Sequence, residues 1–125
     1  MTKLLMIAAA GLVGTLARYG LGGLVQKQVD SLFPLGTVVV NILGCLLFGI
    51  LWSWAENRIT VDSSLRAAIF IGFFGAFTTF SSFGYETVAL LRESQWIAAC
   101  GNILIQNLLG LGGMLAGLMI GKKLV

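Results

Sequence analysis

Apolar residues run along this chain in four long blocks, at about residues 4–25, 35–55, 67–91 and 96–120, with short polar loops between them. Each block reaches the roughly 20 residues needed to cross a hydrocarbon core of about 30 Å. None alternates in the manner of a strand, so the pattern predicts an all-α integral membrane fold with four transmembrane helices. The whole chain, residues 1–125, reads as a single four-span domain. The first block follows Lys3 but is too long for a signal-peptide core. Its small residues at 8–10 lie inside the block rather than after it, so it reads as a retained helix.

The loops carry their own signals. Pro34 closes the first loop and suits the first turn of the second helix. Asp62, Ser63 and Ser64 supply an N-cap for the third. The loop at 92–95 is so short that the third and fourth helices must form an antiparallel hairpin. Trp52, Trp54 and Trp96 sit at block ends, as in an interfacial aromatic belt. Gly113, Gly117 and Gly121 recur every four residues, and Ala10, Gly14, Arg18 and Gly22 share one face of the first helix. Small residues at this spacing let membrane helices approach closely, either within one subunit or across a seam between two.

Composition sharpens the class. Residues are 58% hydrophobic and 10% charged, with 17 Gly, one Pro and no His. So small a domain supports a core poorly alone, which favours an oligomer. Cys45 and Cys100 lie within apolar blocks and lack metal-ligand spacing, so neither a disulfide scaffold nor a zinc site is expected. The net charge of +3 resides in loops, which implies no nucleic-acid partner. Lys3, Arg58, Arg66, Lys122 and Lys123 fall on one side of the membrane. Lys27 and Arg92 fall on the other, joined by Arg18 if it reaches out from the first helix. That bias is small enough to permit insertion in both orientations.

Candidate chemistry concentrates in the third block, at Gly75-Ala76-Phe77-Thr78-Thr79-Phe80-Ser81-Ser82-Phe83. Clustered hydroxyls at membrane depth survive only when buried in protein or lining a wet path. Thr37, Asn41 and Cys45 follow at i, i+4 and i+8 on the second helix, and Asn102, Gln106 and Gly110 do so on the fourth. An enzyme is not expected: paired carboxylates are absent from every block, and Ser81 and Ser82 lack a general base. The amides, hydroxyls and phenyl edges all present partial positive charge, and Arg18 adds a cation, so the lining suits a small anion. Glu86 opposes that sign, unless it pairs with an Arg or sits in a vestibule.

These residues resemble the small bacterial fluoride channels of the Fluc or CrcB type over essentially the whole chain. The resemblance is carried by Gly14-Thr15-Leu16-Ala17-Arg18-Tyr19, by Pro34-Leu35-Gly36-Thr37 with Asn41 and Gly44, and by Gly72 to Phe83 with Glu86. It implies an antiparallel, dual-topology homodimer in the bacterial inner membrane that exports fluoride passively and relieves its toxicity. It implies a third helix broken near Gly75 and Thr78, whose backbone carbonyls hold a central structural Na⁺. Phe80 and Phe83 would contact fluoride by their ring edges. Asn41, Thr37, Thr79, Ser81, Ser82, Asn102 and Gln106 would line the route, with Arg18 and Glu86 near its vestibules. The fourth helix departs from the family pattern of Tyr, then Ser or Asn, then Gly, because Asn102 and Gln106 are longer donors. That leaves Gln106 and Asn107 both open as the pore contact. Two rival readings are a small multidrug-type dual-topology transporter, which needs an intramembrane carboxylate in the first helix, and a non-conducting assembly subunit.

Overall fold

A computed structural model describes residues 1–56 and 61–124. Arg58, one of the loop cations counted above, lies outside the described residues. The chain runs α1 (Thr2–Gln26), α2 (Leu35–Glu56), α3 (Ser63–Ala67), a π-helical segment (Ala68–Phe73), α4 (Phe74–Phe77), α5 (Phe80–Arg92) and α6 (Trp96–Lys123). Four helical stretches, Thr2–Gln26, Leu35–Glu56, Ser63–Arg92 and Trp96–Lys123, are long and apolar enough to cross a membrane. They coincide with the four apolar blocks and overrun them, because polar residues at an interface still close helical turns.

The third stretch shows this most clearly, starting at Ser63 rather than 67. The Asp62 side chain accepts the Ser64 and Leu65 N–H groups at 3.0 and 3.4 Å. Those bonds satisfy donors that a helix start leaves orphaned. The same bond from the Ser64 N–H holds the Asp62 carboxyl below its usual range. Pro34 stands just before α2 rather than inside it, and its carbonyl accepts the Val38 N–H at 3.0 Å. Gln26, at the end of α1, donates to the Phe33 carbonyl at 3.1 Å and accepts the Gly36 N–H at 3.0 Å. One side chain thus closes the first loop onto both helices.

Lipid tails are as apolar as the helices, so packing here rests on close approach rather than on the hydrophobic effect. The α2 and α6 backbones meet at Gly49 and Gly117, where a Cβ on Gly117 would fall on the Leu46 carbonyl. Gly14 of α1 abuts the Phe73 carbonyl in the same manner, and Gly36 abuts Gly22. These glycines are used within the chain. The remaining core is aromatic. Phe48 lies 4.9 Å from Phe70 and 5.4 Å from Phe74, and Trp52 lies 5.0 Å from Phe70, centroid to centroid. Arg66 places its guanidinium 5.4 Å from the Trp52 ring, a cation–π contact at the end of the cluster. Between α3 and α4 the Phe74 N–H reaches back to the Ile69 carbonyl, one residue further than in an α-helix.

Candidate functional site

Helical backbone stops at Phe77 and resumes at Phe80. Thr78 (φ −83°, ψ 157°) and Thr79 (φ −149°, ψ 114°) are extended. The sequence reason is a competing acceptor. The Thr79 N–H, which would close the next turn on the Gly75 carbonyl, donates instead to Asn41 Oδ1 at 2.8 Å. Asn41 Nδ2 returns the bond to the Thr79 carbonyl at 3.0 Å. A carboxamide of α2 is thereby paired with both backbone polar groups of Thr79, and the helical hydrogen-bond ladder is held open there. Thr79 then caps α5, its Oγ1 accepting the Ser82 N–H at 3.1 Å and donating to Ser82 Oγ at 3.0 Å. Ser81 Oγ lies 3.3 Å from the same hydroxyl. Thr78 turns its own hydroxyl back onto the Phe74 carbonyl at 2.9 Å.

Polar groups continue from Asn41 into α6. Asn41 Nδ2 donates to Gln106 Oε1 at 2.7 Å, and Gln106 Nε2 donates to Asn102 Oδ1 at 2.8 Å. Asn102 Nδ2 donates to Thr87 Oγ1 at 2.9 Å, and Thr87 donates to the Phe83 carbonyl at 2.7 Å. Asn102 is fully buried and Gln106 nearly so. In an apolar medium each unpaired amide would lose on the order of 2–7 kcal/mol, so a connected chain is the stable arrangement. Asn107 stands apart: it is exposed and donates to Ile103 of its own helix at 2.7 Å.

Two clefts flank this junction. The smaller, about 220 Å³, is lined by Asn41, Cys45, Thr78, Thr79, Phe80, Phe83, Gln106 and Asn107. The Phe80 and Phe83 rings lie 5.3 Å apart, and Phe80 is 82% exposed on the subunit surface. The larger cleft, about 420 Å³, includes Arg18, Thr37, Thr79, Ser82 and Glu86 in its lining. Thr37 donates to Glu86 Oε1 at 2.6 Å. Arg18 does not reach out from the end of α1 as a loop cation. Its Nε donates inward to the Ala76 carbonyl at 3.0 Å, because the last turn of α4 leaves carbonyls without helical donors.

The structure therefore brings Asn41, Thr78, Thr79, Phe80, Phe83 and Gln106 around one cleft and gathers Arg18, Thr37, Ser82 and Glu86 around the other. Asn102 lies behind Gln106 rather than on a cleft wall. Thr87 was not singled out from the sequence, although Thr79, Phe83 and Thr87 follow at i, i+4 and i+8 and share one helical side. Among the described residues no three of His, Cys, Asp and Glu come together as a metal-binding group.

Comparison with known proteins adds the lineage. The family model described as "CrcB-like protein, Camphor Resistance (CrcB)" matches residues 5–118. A protein of Desulforapulum autotrophicum named "Fluoride-specific ion channel FluC" is 49% identical over 120 residues, 96% of each chain. Proteins carrying the same name in Nitratidesulfovibrio vulgaris (strain Miyazaki F) and Nitrosococcus oceani are each 48% identical. They match over 122 and 120 residues, covering 98% and 96% of each chain respectively.

Proposed function

Because this chain belongs to the CrcB-like family, whose matched relatives are named as ion channels rather than enzymes, we propose that it is a multi-pass membrane protein that conducts fluoride passively. The observation that carries this reading is the smaller cleft, where amide donors and two phenyl rings converge at the opening between α4 and α5. Fluoride is small and strongly hydrated, so a route through a membrane must replace its water with closely placed donors. The Gln106 amide and the positive edges of Phe80 and Phe83 are donors of that type on the smaller cleft, and the Ser82 hydroxyl is one on the larger. With no carboxylate on the smaller cleft, movement follows the fluoride gradient. Cells of a bacterium would use it in the inner membrane to export fluoride and relieve its toxicity.

A second copy completes the site in this reading. Phe80 and Gly75 face outward from the single chain, as do many leucines of α1 and α6. An antiparallel homodimer, with subunits inserted both ways, covers part of that surface and leaves the rest to lipid. A structural Na⁺ fits the carbonyls at the opening. Thr79 withholds its N–H from Gly75, and the Gly75 Cα has open space before it. The Thr78 hydroxyl is committed to Phe74, so Thr78 would offer its backbone oxygen. Neutral oxygens of this kind suit a monovalent hard cation, as in other carbonyl-lined ion sites. Bound there, the ion would supply a fixed positive charge at the centre of the dimer.

The deciding experiment is ion release from liposomes containing the purified protein, followed with fluoride and chloride electrodes. Fast fluoride release without chloride release is expected. Retention of fluoride by liposomes holding a well-folded protein would reject conduction and leave a non-conducting assembly subunit.

A further inference from the structure

Charge is divided unequally between the two ends of the helices. Among the described residues, the end that holds both termini carries Lys3, Arg66, Lys122 and Lys123 against Glu56 and Asp62. The opposite end carries Lys27 and Arg92 against Asp30 and Glu93, so its loops balance. Lys3, Lys122 and Lys123 are exposed, and none of the four cations of the terminal end meets a carboxylate among the described residues.

Arg66 is placed differently from the lysines. Its guanidinium lies 5.4 Å from the Trp52 ring near the end of α2, and its Nε is buried without a hydrogen-bond partner. The carboxylate one turn away belongs to Asp62, which is already occupied by the Ser64 and Leu65 N–H groups. A buried charged donor with no acceptor is costly, and a group of this kind calls for an acceptor from outside the chain. An aromatic ring against the guanidinium limits its motion and leaves N–H groups for an oxyanion, and arginine matches phosphate with two parallel bonds.

A second cation arrives on α6. Gly121 packs against α2 so closely that a Cβ there would lie 2.8 Å from the Ser53 Cβ, one residue beyond Trp52. Lys122 follows directly, so Arg66 and Lys122 flank the end of α2. This is the level at which the apolar blocks give way to loops, the depth of lipid headgroups, and Trp52 and Trp54 sit there as interfacial aromatics do. The neighbours of the two cations are apolar: Leu65 is 45% exposed and Leu124 is 64% exposed.

We propose that the terminal end of this chain binds the phosphate of an anionic phospholipid, with Arg66 as the anchor and Lys122 as the second cation. Inorganic phosphate shares the headgroup chemistry, but only a lipid also covers Leu65 and Leu124 with its acyl chains. Uncompensated positive charge selects an anionic lipid over a zwitterionic one. The proposal is independent of what the clefts conduct.

The test is the thermal midpoint of the purified full chain in dodecyl maltoside micelles, titrated with phosphatidylglycerol, phosphatidylcholine or inorganic phosphate. Phosphatidylglycerol should raise the midpoint and saturate, and the other two should not. Arg66→Gln should raise the half-saturating phosphatidylglycerol concentration about tenfold, the scale of a hydrogen bond to a charged group. Lys122→Gln should raise it about fivefold, the scale of one cation near an anionic surface. Arg66→Lys, which keeps the charge and loses the planar fork, should fall between wild type and Arg66→Gln. Arg92→Gln, at the balanced end, should match wild type. Equal stabilisation by phosphatidylcholine would overturn the proposal, as would a loss in Arg92→Gln equal to that in Arg66→Gln. Equal stabilisation by inorganic phosphate would make this a free-anion site and overturn the lipid. If Arg66→Gln does not fold, Arg66→Lys and Lys122→Gln decide, and wild-type half-saturation in both would reject the site.

Discussion

The two halves of the Ser63–Arg92 stretch are built from different materials. From Ala67 to Phe77 its buried side chains are Ala67, Ala68, Phe70, Phe74 and Phe77; the Phe70 ring packs on Phe48 and Trp52 of α2, Phe74 on Phe48, and Phe77 on Phe73. From Thr79 onward the hydrogen bonds to other helices pass through Thr79, Glu86 and Thr87, Leu90 is the fully buried apolar side chain, and Phe80 projects outward. Dispersion packing fixes where a backbone sits but says little about dipole direction. Hydrogen bonds fix direction and add little contact area. The stretch thus anchors with its first half and leaves the second half free to aim polar groups, which is what a site for an ion needs.

That division can be broken from either side. The largest effect on stability is expected from Phe74→Ala in the aromatic half. In lipid the transfer component largely drops out, leaving a cavity of order 100 Å³ at about 24 cal/mol per Å³, or roughly 2 kcal/mol. A lower thermal midpoint in detergent should appear, with fluoride release per folded protein retained. In the polar half, Phe80→Ile and Phe83→Ile should invert that result. Each should cut fluoride release about tenfold or more, equivalent to roughly 1.4 kcal/mol of barrier, with the thermal midpoint nearly unchanged for the exposed Phe80. Loss of folding in Phe80→Ile, or wild-type release in both, would erase the distinction.

The smallest effect belongs to the cap at Asp62, which starts the anchoring half. Its folded-state pKa is depressed by the Ser64 N–H, so its contribution is present above the unfolded value of about 3.9 and is lost as pH falls through the lower folded value. Thermal midpoints of wild type and Asp62→Ala should therefore differ at pH 7 and converge below about pH 4. Asp62→Asn, which keeps a neutral acceptor, should show no such convergence. A constant gap at every pH would mean that the carboxylate charge plays no part in the cap.

Much of this was legible in the chain itself, for reasons that differ by element. The four helical stretches follow from block length alone, since nothing else in 20 apolar residues competes with a membrane helix. Asn102, Gln106 and Gly110 share one face of α6, as their i, i+4 spacing predicts, and that face is buried, with only Gln106 of the three on a cleft described above. Thr37, Asn41 and Cys45 each meet a cleft, again from helical spacing. Whether Arg18 reaches outward was left open by the sequence, because its partner, the Ala76 carbonyl, is a backbone atom that is available only where helical donors run out. The wide turn at Ala68–Phe73 has no sequence signature, because a π turn is decided by packing of neighbouring helices rather than by residue type. Thr87 escaped notice for a related reason. A lone threonine in a membrane helix ordinarily bonds its own helix, and only the arrival of Asn102 from α6 gives its oxygen a second use.

Among the described residues, Thr79 alone lines both clefts. If an ion crosses from one to the other, the two wide chambers and the partition between them act as resistors in series, and the thinnest element dominates the sum. Widening either chamber would then change the current little. The throughput of the whole protein would be set by one threonine, whose carbonyl and N–H are gripped by a side chain from another helix.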